Sequence, residues 1–61
     1  MLLRVPRGAP APDDAAIRRA IEVDRRRLNL PAADGTGYRF AGPYRIDLDG
    51  QSLDEYVAWE V

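Results

Sequence analysis

The chain has 61 residues, nine cationic against ten acidic, a formal net charge of −1, and neither cysteine nor histidine. All nine cations are Arg, so disulfides, thiolate or imidazole metal sites, Schiff-base lysines and His-based triads are excluded at once. A near-neutral chain this short also lacks the positive surplus that general nucleic-acid or acidic-membrane binding needs, and it buries only about 60% of its unfolded surface.

Residues 2–5 form a short apolar run ended by Pro6 and read as a strand. Residues 7–12, Arg-Gly-Ala-Pro-Ala-Pro, read as a turn and an extended connector, because proline forbids regular pairing. Asp13 and Asp14 then open a helix expected over residues 13–29, with carboxylates suited to its N-terminus and Pro31 beyond its end. At 100° per residue, Ile17, Ile21 and Leu28 fall within about 40° of one another, with Ala20 beside them. Asp14, Arg18, Glu22 and Arg26 make an i,i+4 ladder of alternating charge that suits solvent. Asp24 interrupts the apolar stripe. An ionised carboxylate there calls for Arg45, Arg39 or Arg4 from the strands, or for local exposure, against a purely local contact with Arg27. Arg25-Arg26-Arg27 is the densest positive run, but a helix splays it across about 200°, with Glu22 and Asp24 alongside. It reads as a solvated face.

Residues 30–37 read as a loop, in which Gly35-Thr36-Gly37 lacks the third glycine and the lysine of phosphate-binding loops. Residues 38–41 and 44–48 read as two short strands around Gly42-Pro43. In the second, Tyr44, Ile46 and Leu48 share one face and Arg45 and Asp47 the other. Asp47-Leu48-Asp49-Gly50 resembles the start of a calcium loop, yet that spacing puts Arg45 at the first ligand position and Tyr56 at the last. It is a polar turn. Ser52-Leu53-Asp54-Glu55 matches a capping box, so residues 53–60 are expected as a closing helix with Leu53, Tyr56 and Val57 inward. Asp49-Gly50 also suits a hairpin, which leaves a third strand open. The expected fold is a single α+β domain over residues 1–61, in β-α-β-β-α order, with a short antiparallel hairpin packed by helices.

The lone Ser and Thr have no His or Lys as base, and a chain this size leaves little room to bury a raised-pKa acid beside a cleft. No enzyme, cofactor or metal site is expected. The expected role is protein binding to a larger partner, as an accessory or regulatory subunit. Its contact residues are Tyr56, Trp59 and Leu53 on the closing segment, with Arg45 and Asp47 on the hairpin. The alternative is an inhibitor or antitoxin of a phage or mobile element, in which Asp47, Asp49, Asp54 and Glu55 form an acidic patch that mimics phosphate. Neither nucleic acid nor membrane is an expected partner. Met1-Leu2-Leu3 is interrupted by Arg4 and Pro6, far short of a signal or a span, so a cytoplasmic location is expected.

Residues 3–17, Leu-Arg-Val-Pro-Arg-Gly-Ala-Pro-Ala-Pro-Asp-Asp-Ala-Ala-Ile, carry one family likeness. The segment resembles the start of the epsilon subunits of biotin-dependent acyl-CoA carboxylases in actinobacteria, which open with a short strand, an Arg-Gly-x-Pro turn and an acidic, alanine-rich helix. Arg7, Gly8 and Pro10 stand at the turn, and Asp13, Asp14 and Ala16 open the helix. The resemblance implies a non-catalytic subunit that bridges or stabilises the biotin-carrying and carboxyltransferase subunits. Biotin would then sit on the partner, since this chain has no Lys to carry it. Beyond residue 17 the chain departs from the family, whose members tend towards an Ala-rich middle and a Trp followed by basic residues. Here Trp59 is followed by Glu60 and Val61.

Overall fold

A computed structural model describes residues 1–31 and 37–61 of the chain. The element order is β1 (Leu2–Pro6), α1 (Asp14–Arg27), β2 (Tyr38–Leu48) and β3 (Gln51–Glu60). The three strands form one antiparallel sheet in the order β1-β3-β2, so the last strand is the central one. The expected loop over residues 30–37, including Gly35-Thr36, falls mainly on residues 32–36, outside the described residues.

The helix follows its signals. Asp13 caps it by accepting the Ala16 N–H at 2.8 Å. At the other end Asn29 takes a left-handed conformation (φ 59°), the Leu30 N–H reaches back to Arg25 O and the Asn29 N–H to Arg26 O. These two bonds satisfy the last carbonyls as a Schellman motif does. Ile17 is packed to 1% exposure, while Leu28, at the C-cap, is 60% exposed. Asp24 takes the local partner: Arg27 Nη2 lies 2.6 Å from its Oδ1. The interstrand arginine partner expected for it is therefore corrected. Another helix arginine makes the tertiary tie, since Arg25 binds Glu60 through two bonds of 2.6 Å.

Two expectations for the second half of the chain are overturned. Residues 38–41 and 44–48 are one strand, bent where Ala41 faces Val57 and Tyr44 faces Glu55. One extra residue enters there as a β-bulge. Gly42 sits at φ 137° with a cis peptide to Pro43, and a Cβ on it would lie 2.8 Å from both Glu55 O and Tyr56 Cδ1. The position is open to glycine alone.

The closing helix is a strand, so the expected β-α-β-β-α order is corrected to β-α-β-β, with one helix among the described residues. Asp49 (φ 50°) and Gly50 (φ 77°) form a two-residue turn with both φ values positive, and Leu48 faces Gln51 across it. That geometry matches the twist of a hairpin and sends residues 51–60 back along β2. Ser52 does not cap a helix: its hydroxyl donates to Asp47 Oδ1 across the hairpin at 3.0 Å. The pairing of β3 on both sides satisfies its backbone groups more completely than a short helix would.

Candidate functional site

Successive side chains of a strand point to opposite faces, so the central strand sorts the sheet. Asp54, Tyr56 and Ala58 are buried on the side of α1, where Tyr56 and Ala58 join Ile17 as the buried apolar residues among those described. Leu53, Glu55, Val57 and Trp59 point the other way, where no element of the described residues packs. Cross-strand pairing extends this open face into three rows. Leu2, Val57 and Ala41 make the first, Arg4, Glu55 and Tyr44 the second, and Pro6, Leu53 and Ile46 the third. Trp59 with Arg39 lies at one end and Leu48 with Gln51 at the other.

The face is mostly apolar and far from covered. Leu2 is 55% exposed, Tyr44 52%, Trp59 45% and Leu48 43%. Its central charges are already matched: Arg4 Nε lies 3.0 Å from Glu55 Oε2. A partner settling there would leave no unpaired charge at the centre, but it would strip water from both ions of the pair, a cost that its apolar contacts must offset.

The helix side carries the polar chemistry. The Tyr38 hydroxyl donates to Asp14 Oδ1 at 2.6 Å, Arg18 Nε binds the same carboxylate, and the Arg18 guanidinium lies 5.2 Å from the Tyr38 ring centroid. The Tyr38 bond, followed by that of Arg18, holds the Asp14 carboxyl below its ordinary range, and the same bond raises the Tyr38 phenol. Glu60 is likewise lowered by its bonds from Arg25. A shallow cleft of about 340 Å³ opens between α1 and the start of β2, beside Arg18, Arg19, Tyr38 and Glu60. Among its lining groups, Tyr38 and Arg18 are bound to Asp14, and Glu60 to Arg25. Among the described residues no group of three His, Cys, Asp or Glu could hold a metal ion, and no helix is long and apolar enough to cross a membrane.

The five residues expected to touch a partner are divided between the faces. Trp59 and Leu53 lie on the open face. Arg45 and Asp47 lie on the helix side of β2, exposed near the hairpin end, opposite Asp54 and Ser52. Tyr56 is 5% exposed, its ring tilted 6.2 Å from that of Phe40. It is a core residue, and its role as an interface anchor is corrected. The acidic patch is divided too. Asp54 is 7% exposed and accepts the Gly8 N–H at 3.0 Å, Glu55 is on the opposite face, Asp49 is in the turn, and Asp47 is held by Ser52 and Arg7. Alternation along a strand separates neighbours that a helix would have gathered.

Leu2, Arg4 and Val57 belong to the open face too, so the inward placement expected for Leu53 and Val57 is corrected: of Leu53, Tyr56 and Val57, only Tyr56 faces the core. Their signal was there: Leu53, Glu55, Val57 and Trp59 alternate with Asp54, Tyr56 and Ala58 directly after a two-residue Asp-Gly turn. No protein-family model, curated protein or solved structure matches the chain.

Proposed function

We propose that this chain is a non-catalytic protein-binding module whose contact surface is the helix-free face of its sheet. One observation carries this: a mostly apolar sheet face, crossed by one matched ion pair and with Arg39 at one end, has no covering element among the described residues. The largest apolar patch on a small protein is often functional, and patches beyond a few hundred Å² mark interaction sites. The non-catalytic part rests on a sequence without His, Cys or Lys. An accessory subunit of a biotin-dependent acyl-CoA carboxylase is the named instance, resting on the resemblance of residues 3–17. The inhibitor reading has less support, because its four acids do not share a surface.

The test is retrieval from the native host with two tagged baits, the wild-type chain and Val57→Lys, each shown to be folded by circular dichroism. A defined set of proteins, further copies of the chain included, should come with the wild type and be lost with the variant. The same set with both baits, or nothing beyond the bait itself, would overturn the reading.

A further inference from the structure

We infer that the occupant of the open face is a second copy of this chain, docked sheet on sheet about a twofold axis that runs along β3. The inference rests on the protein-binding reading above and names its partner. Three observations on this one molecule support it.

The first is area. A self-sufficient monomer of 6.8 kDa exposes about 3,950 Å² by the usual scaling of surface with mass, and this chain exposes 4551 Å². The excess is on the order of 600 Å², which is the scale of one side of a specific interface. The open face contributes part of it: Leu2, Tyr44, Trp59 and Leu48, each about half exposed, leave on the order of 400 Å² to water between them, beside exposed Val23, Leu28, Leu30 and Phe40 elsewhere. Half-buried Ala41, Ile46, Leu53 and Val57 and the exposed Pro6 enlarge the same face.

The second is self-complementarity, which an isologous twofold contact demands. The axis turns each row end for end onto its own copy, so that a β1 residue meets a β2 residue. Leu2 then lies over Ala41 of the second copy, a large side chain against a small one. Arg4 lies over Tyr44 of the second copy, a cation over an aromatic face. Pro6 lies over Ile46, while Val57, Leu53 and Trp59 pack near the axis against themselves, and Glu55 meets its own copy there with an Arg4 bound to each carboxylate. Layers about 10 Å apart, the ordinary spacing of stacked sheets, accommodate these pairs.

The third is charge. The middle row contains one cation and one anion, Arg4 and Glu55, joined at 3.0 Å, so it brings no unpaired charge into the contact, at a desolvation cost that the apolar rows must offset. Edge-to-edge pairing is the other route to a dimer of sheets. The outer edge of β2 is unsuited to it, because the bulge at Gly42-Pro43 interrupts the run of free backbone groups.

Sedimentation equilibrium on the full chain, from about 1 µM to about 1 mM, tests the proposal, with emission of the single tryptophan, Trp59, as a second readout. Mass should rise from 6.8 kDa to twice that and stop, and Trp59 emission should shift to the blue over the same range. Val57→Lys should weaken association at least tenfold. Tyr44→Lys should do the same, and Tyr44 is 52% exposed, so its loss leaves the fold in place by circular dichroism. A single 6.8 kDa species up to about 1 mM, growth beyond a dimer, or a dimer indifferent to both substitutions would each overturn the proposal. A chain that stays monomeric yet loses its retrieved partners with Val57→Lys sinks the dimer and leaves the protein-binding reading standing.

Discussion

Gly42 shows how much of this fold hangs on the absence of one carbon. It lies at φ 137°, and the space where a Cβ would stand is already held by the Glu55 carbonyl and the Tyr56 ring, each at 2.8 Å. Neither neighbour can give way cheaply, since one is backbone of the central strand and the other is core. Gly8 is the natural control, also at positive φ (82°) but with nothing near its missing Cβ. Gly8→Ala should cost about 1 kcal/mol, the ordinary price of a left-handed alanine. Gly42→Ala should cost about 3 kcal/mol or more, enough to unfold a domain with so small a core. Urea titrations of the two variants side by side check the order.

At the scale of elements, the helix is joined to the sheet near both its ends by polar contacts. Near its start Asp14 binds Tyr38, and near its finish Arg25 binds Glu60. The Asp14–Tyr38 bond needs an ionised carboxylate and a protonated phenol, so it works within a pH window. Asp14 is lowered in the folded state, so its contribution is present above its unfolded value and is lost as pH falls through the folded one. Tyr38 is raised, so its contribution is present below its unfolded value and is lost as pH rises through the folded one. Tyr38→Phe removes the shared bond. Thermal melts across acid and alkaline pH should therefore show both limbs flattened in the variant, while wild type falls at each end. Equal slopes in the two proteins would show that the bond does not bias the fold.

The whole molecule is looser than its length requires. Its radius of gyration is 12.5 Å, against about 10.5 Å for a compact domain of this size, and it measures 37 × 19 × 16 Å. Three buried apolar residues among those described, Ile17, Tyr56 and Ala58, are a small core. Such a core holds a short chain by no more than about 3–5 kcal/mol. If a second copy covers the open face, stability and association are one equilibrium, and the thermal midpoint should climb as protein concentration rises. A midpoint that stays constant over a thousandfold range would separate the two.

Local chemistry made part of this legible in the sequence. Asp13 and the Asn29–Pro31 segment bound the helix, Pro6 ends β1, Asp49-Gly50 makes the turn, and Tyr44, Ile46 and Leu48 share a face, because each depends on a few neighbouring residues. Two matters were decided by tertiary contact. Leu53, Tyr56 and Val57 fit a helix as well as a strand, and Ser52 with Glu55 imitates a cap. The segment became a strand because β1 and β2 both offered it unpaired backbone, a gain invisible within the segment. The candidate site followed from the same choice. Once residues 51–60 were extended, alternation sent Tyr56 to the core and Trp59 to the open face. The face itself exists only where β1, remote in sequence, lies beside the β2–β3 hairpin.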